Sequence, residues 1–294
     1  IKIAYGFLIK WGGERILSKD FTNEELFIRK DNIVKSLDQL LTSFLESSDS
    51  HLQKKASLLS YWLDSFFEYI REEDAFDSTK LKSYKRGDVI KVNFGFNVGS
   101  EYGGLHYAIV INNHNPRNSS VLTVIPLTSQ KDGNKSHPND VYLGNELYRN
   151  LKLKHDTLSQ NLQAEKKEIE NMIGLFDSIL KAIDLKLELY ESEPSLQEQT
   201  LEEARRYLDT AKQLQKDWIK KSQQNKSASE QFRKIGLEIK RMKTGSIALV
   251  DQITTVSKMR IYDPRNARGV LSGIRLSPEA LDKINAKLKE LFVF

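Results

Sequence analysis

The chain has 294 residues, 39% of them hydrophobic and 29% charged, with 45 Lys and Arg against 40 Asp and Glu and no cysteine. That length supplies two or three modules with ample core. The lack of cysteine excludes a disulfide framework and thiolate chemistry and suits a reducing cytoplasm, and no apolar run reaches the roughly 18 residues of a membrane span.

The charge is unevenly placed. Residues 1–80 hold 11 basic and 14 acidic side chains, residues 81–150 hold 8 and 5, residues 151–243 hold 18 and 16, and residues 244–294 hold 8 and 5. The two basic segments favour a polyanionic partner, and the acidic N-terminal segment has the sign to dock on them. The opening IKIAYGFLIKWGGERIL is too short and too interrupted for a secretory signal, and its start at Ile1 implies that the true N-terminus precedes it.

In chain order, Asn23–Leu45 is expected to be a helix, with Leu26, Ile33, Leu37, Leu40, Leu41 and Phe44 at three- and four-residue spacing. A second helix is expected over His51–Arg71, striped by Leu52, Leu59, Trp62, Leu63, Phe66 and Ile70. The short link between them suggests an αα-hairpin. Strands follow. Ile90, Val92 and Phe94 alternate with Lys91 and Asn93, the pattern of a half-buried strand, while Tyr107–Ile111 and Val121–Leu127 are near-continuous apolar runs of core strands. Between them, Gly99-Ser-Glu-Tyr-Gly-Gly104 permits positive φ and close backbone approach. Val141-Tyr-Leu143 reads as a further strand.

From Leu151 to Lys243 the only proline is Pro194, and apolar residues recur in heptads on both sides of it. A long antiparallel helical hairpin, or coiled coil, is expected there, with arms reaching on the order of 60 Å. Strand-like Ile247–Val250 resumes at once, so the hairpin interrupts the sheet sequence. Ser277-Pro-Glu-Ala then caps a C-terminal helix whose buried stripe is Leu281, Ile284, Leu288 and Leu291. Four regions result: 1–80 helical, 81–150 first part of a small barrel, 151–243 inserted hairpin, and 244–294 second part of the barrel with its closing helix.

RGDVIKVNF, GSEYGG, HYAIVINN and VIPLTS, in that order, resemble the MazF/PemK family of toxin endoribonucleases. SIALVDQITTVSK, over Ser246–Lys258, is similar to the family's second signature, a strand followed by an acidic residue, Gln and a turn. The resemblance implies an α+β protein built on an SH3-like small β-barrel of the MazF/PemK type, here carrying an N-terminal helical hairpin and an inserted coiled-coil hairpin. It also implies a cytoplasmic, homodimeric toxin of a toxin–antitoxin pair that cleaves single-stranded RNA with sequence selectivity, needs no cofactor and is restrained by a protein antitoxin.

The residues leave room for that chemistry. His51, His106, His114, His137 and His155 show no metal-ligand spacing, and no phosphate-cradling GxxxxGK[ST], GxGxxG after a strand or GxSxG nucleophile elbow occurs. Cleavage by the substrate's own 2′-hydroxyl needs a base, an acid and donors for the charged phosphorane. His106 is the candidate for proton transfer, since imidazole titrates near neutrality. The family carries arginine at the matched position, so this is a departure. Thr128, at the end of a strand, matches the family's active-site Thr or Ser. Ser100, Glu101, Tyr102, Ser129, Asp251, Gln252, Lys258 and Arg260 are the candidate RNA-binding residues. Leu249 and Thr254 stand where the PemK branch has arginines.

Lys91, Arg117, Lys131 and Lys135 would add phosphate-facing charge if they share a face. Tyr102, Tyr107 and Phe96 have the chemistry to stack on bases, or to fill the core. Arg86-Gly-Asp88 is expected to clamp the start of the first strand. The hairpin, with nearly balanced charge, is expected to serve assembly or partner binding apart from the chemistry. Two other readings stay open. One is a non-catalytic module that grips a protein target, as gyrase-poisoning toxins do; the other is a coiled-coil assembly protein.

Overall fold

Three apolar runs form the middle of an antiparallel sheet in this computed structural model, which describes residues 21–130, 137–243 and 245–293. They are β1 (Val89–Asn93), β2 (Leu105–Val110) and β3 (Val121–Ser129). In register, Val89 lies opposite Ile109 and Ile109 opposite Ile125, and all three enter one core cluster. Ile90 opposite Ala108, and Val110 opposite Val124, enter a second cluster on the other face. Both faces are therefore covered, which is why β2 and β3 read as near-continuous apolar runs.

Four further strands complete the sheet: β4 (Asp140–Gly144), β5 (Ser246–Leu249), β6 (Thr254–Ser257) and β7 (Ile261–Asp263). The order is β4-β5-β3-β2-β1-β7, with β6 also on β3. β5 and β6 are one run of chain broken by the tight turn Val250–Gln252. Thr128 faces Ile247 of β5, and Thr123 faces Thr255 of β6, so β3 carries both along one edge and β2 along the other. The path runs open from β4 to β7, which is an α+β sheet without the closure expected of a barrel. The segment after Gln252, expected as a turn, is a strand because it continues the pairing along β3.

β4 and β5 are sheet neighbours, and the chain between them is the hairpin. Its arms are α3 (Glu146–Ser192, 47 residues) and α4 (Gln197–Arg241, 45 residues), joined by a turn that contains Pro194. At 1.5 Å per residue each is about 70 Å long. Glu165 meets Asn225, Glu168 meets Lys221 and Lys186 meets Glu203, so contacts advance along one arm as they retreat along the other. The arms are antiparallel. Ile179, Ala204 and Ala211 are buried along the seam. At the root, Leu147, Leu151 and Ile235 sink into the sheet's core beside Val141, Leu143, Ala248 and Ile284. Lys154 locks that root, donating to the carbonyls of Gly269, Val270 and Ser272 at 3.2, 2.8 and 2.7 Å. Burial brings the Lys154 ammonium down to a pKa of about 8, against the pull of Asp263.

The Arg86-Gly-Asp88 clamp is present. Asp88 Oδ1 accepts from Arg275 Nε and Nη2 at 3.0 and 2.7 Å, and Arg86 donates to the Ile111 carbonyl and to Asn285 of α5 (Pro278–Phe292). Ser277 Oγ accepts from the Ala280 N–H at 3.2 Å, the expected cap of α5.

The chain divides into two units, Ile1–Glu68 and Tyr69–Phe294. The first holds α1 (Asn23–Leu45), which begins with a capping box between Thr22 and Glu25, and most of α2 (Ser50–Glu72), which begins after a Ser/Asp turn. α1 buries none of its residues and α2 only Ala56. Leu37, Leu41, Phe44, Leu52, Leu59, Trp62 and Leu63 are half-buried, while Leu26, Ile33, Leu40, Phe66 and Ile70 stay exposed. The opening segment 1–17 lies outside the described residues.

Candidate active site

β2 and β3 end at the same place, where the loop 95–104 folds back. Phe94 N–H donates to the Gly104 carbonyl at 2.8 Å and Gly104 N–H to the Gly95 carbonyl at 2.7 Å. A Cβ on Gly103 would stand 2.7 Å from the Gly95 oxygen, and Gly104 has φ +87° with its missing Cβ 3.3 Å from His106 Nε2. The glycine pair is thus what lets the loop close against the imidazole.

His106, opposite Val92, lines a cleft of about 260 Å³ together with Thr128 and Ser129 from the end of β3. The Tyr102 ring packs on the His106 ring with centroids 4.6 Å apart, and its hydroxyl donates to the Leu127 carbonyl at 2.8 Å. Burial pushes the Tyr102 phenol up, and Thr128 beside it partly offsets this. Burial, and then the charge of Lys91, holds the His106 imidazole below its ordinary 6.5. It is therefore neutral near pH 7, as a proton acceptor must be.

The other wall comes from the hairpin. Glu238, Arg241, Met242 and Lys243, at the end of α4 and just beyond, line the same cleft. Glu238 Oε1 accepts from Lys91 Nζ at 2.6 Å and from the Tyr107 hydroxyl. Burial raises the Glu238 carboxyl, but those two hydrogen bonds and the Lys91 charge outweigh it, so it stays below the usual range. The expectation that the hairpin stands apart from the site is corrected here. A helix that hands the chain directly back to a sheet strand ends against that sheet, so its last turn faces the strand ends. Glu238 and Arg241 were not singled out in the sequence because that proximity, rather than any motif, brings them to the cleft.

The remaining expected residues are scattered. Ser100 and Glu101 are exposed on the loop, where Glu101 accepts from the Val98 N–H at 3.3 Å. Gln252 accepts from the Tyr102 N–H at 3.2 Å, which ties the second signature to the loop. Asp251 accepts from Asn139 Nδ2 at 3.2 Å. Lys258, expected to face RNA, is only 2% exposed and donates to the Pro116 carbonyl, so its ammonium is spent inside the fold. Arg260 is half-buried and donates to the Asn93 carbonyl at 2.8 Å, and Arg117 donates to the Leu81 carbonyl. None of these three lines the cleft. Lys131 and Lys135 lie outside the described residues. Tyr107 is anchored on Glu238, Tyr102 on Leu127, and Phe96 is half-buried. Among the described residues no group of three or more His, Asp or Glu is placed to hold a metal ion, and no helix is long and apolar enough to cross a membrane.

No curated protein matches the chain. Residues 85–189, which take in β1 to β4 and most of α3, match a family model described as PemK-like, MazF-like toxin of type II toxin-antitoxin system. That match starts at the Arg86 clamp and contains His106, Thr128 and Ser129, so this stretch of the chain is similar to the PemK-like, MazF-like toxin family.

Proposed function

We propose that the protein is the toxin of a toxin–antitoxin pair and an endoribonuclease that cleaves single-stranded RNA in the cleft at the ends of β2 and β3. One observation carries the reading: inside the stretch similar to the toxin family, an imidazole kept neutral by burial shares a cleft with two strand-end hydroxyls. His106 takes the proton of a 2′-hydroxyl, whose oxygen attacks the adjacent phosphorus. The bond to the 5′-oxygen breaks, that oxygen takes a proton from solvent, and a 2′,3′-cyclic phosphate remains. Thr128 and Ser129 donate hydrogen bonds to the non-bridging oxygens as charge builds. Gln252 and Tyr102 fix the loop against His106, and Ser100, Glu101 and Asp251, outside the cleft lining, meet flanking nucleotides.

The accessory readings belong to the same proposal. The sheet is an opened relative of the SH3-like barrel, a view supported by β3 carrying separate partners along its two halves. The functional regions are 1–80, 81–150, 151–243 and 244–294. The active species is a cytoplasmic homodimer, its hairpin a coiled coil, held in check by a protein antitoxin. The test is incubation of purified protein with single-stranded RNA in excess EDTA. Cleavage to 2′,3′-cyclic ends is expected; a strict need for Mg²⁺, or intact RNA, would sink the mechanism in favour of a binding module.

A further inference from the structure

Beside the neutral His106, the cleft is lined by three cationic side chains, Lys91, Arg241 and Lys243, and they are not equivalent. Lys91 is committed, because its ammonium sits 2.6 Å from Glu238 Oε1 and both side chains are less than a fifth exposed. Lys243 lies past the end of α4. Arg241 is the last residue of α4, three positions after Glu238 and hence on the same helix face. It is exposed, and among the described residues its guanidinium has no hydrogen-bond or ion-pair partner. Glu238, on that same face, takes Lys91 and Tyr107 on its Oε1 and feels Arg241 only through space.

An anion in this cleft meets two neutral hydroxyls, a neutral imidazole and the carbonyl end of a helix, which by itself repels negative charge. A charged phosphorane there needs a free cation. Arg241 is the one fixed on a helix, and that helix is anchored less than two turns earlier by Ile235, which is fully buried. A guanidinium presents a planar fork that matches two phosphate oxygens at once.

We propose that Arg241 binds the phosphodiester in the cleft, so that the inserted hairpin contributes a substrate-binding residue. This rests on the endoribonuclease reading. It also gives the hairpin a reason to re-enter the sheet where it does. The neighbouring Lys240 has the same charge on the same turn but does not line the cleft, which makes it the internal control.

The experiment measures affinity for a random-sequence, 2′-O-methyl single-stranded RNA, which lacks the nucleophile and cannot be cleaved, over a range of salt. Arg241→Ala is expected to weaken binding about tenfold and to flatten the salt dependence by about 0.7, the value for one phosphate contact on a single strand. Arg241→Lys should keep the salt slope while losing part of the affinity, and Lys240→Ala should change both by less than about twofold. Cleavage of ordinary RNA should fall with Arg241→Ala and survive Lys240→Ala, while the thermal melts of all variants coincide because both residues are exposed. Equal effects of Arg241→Ala and Lys240→Ala would overturn the assignment. An unsubstituted protein that neither binds nor cleaves RNA would instead remove the reading beneath it.

Discussion

The root and the tip of the α3–α4 hairpin are built from similar sequence and do different work. Both carry leucine and isoleucine at heptad spacing among charged residues. At the root, Leu147, Leu151 and Ile235 are at most 2% exposed, whereas Leu185, Leu187 and Leu208 toward the tip are 60, 47 and 46% exposed. The sheet makes the difference. Two helices close only one seam between them, and a third layer is needed to cover what faces outward. The lesson is that a helical stripe states which side wants cover, while only its neighbours decide whether it gets it.

The sharpest way to probe that contrast is at the cleft the root completes. His106→Ala is expected to lower the cleavage rate by about 10²–10⁴ and Thr128→Ala by about 10²–10³, with the fold intact in both. The sign of the pH dependence follows from the depressed imidazole. A base must be unprotonated, so the rate should be flat above pH 6.5 and decline as pH falls through a folded-state value below it. The unfolded chain binds that proton more readily than the native state does. The stability linked to His106 is accordingly present above pH 6.5 and is lost as pH falls. A pH–rate profile of a well-folded His106→Ala variant that keeps the same acidic limb would assign the titration elsewhere.

The next effect is one of stability. Ile235 is fully buried at the junction of hairpin and sheet, so Ile235→Ala should cost about 2–5 kcal/mol. Leu185→Ala, at an exposed position, should stay within about 0.5 kcal/mol. Denaturant titration of both variants checks the pair. Equal losses would mean that the tip is covered in solution, by a second copy or by a partner.

The same contrast explains what could be read without coordinates. β1 to β3, α1 and the cap of α5 were legible because their signals are local: alternation, apolar runs, and Ser277 before Pro278. That His106 and Thr128 would come to one cleft was legible because each sits where a strand meets a loop within a motif. What escaped was non-local. β6 looked like a turn, since only its pairing with Val121–Val124 makes it a strand. Lys258 looked like a surface cation until its ammonium was found on the Pro116 carbonyl. Glu238 and Arg241 carry no pattern of their own and gain meaning only from the strand ends they face.

The smallest expected effect tests the other half of the comparison. Glu168 and Lys221 pair across the hairpin, so their backbones already stand opposite each other. Residues 169–220 can therefore be replaced by a short Gly/Ser turn without moving the root. That excision removes Ile179, Ala204 and Ala211, which seal only the seam between the arms, and leaves Ile235, Lys154, Glu238 and Arg241 in place. Closing the ends with a shorter connection also carries less loop entropy. Cleavage of single-stranded RNA is expected to stay within about twofold of the intact protein, a difference of roughly 0.4 kcal/mol. The melting temperature should shift little, because the sheet core keeps every partner it had. A tenfold loss of cleavage in a well-folded excision variant would place the tip in the chemistry. A change in oligomeric state at constant cleavage would instead give the exposed leucines the assembly role that the sequence suggested for the hairpin.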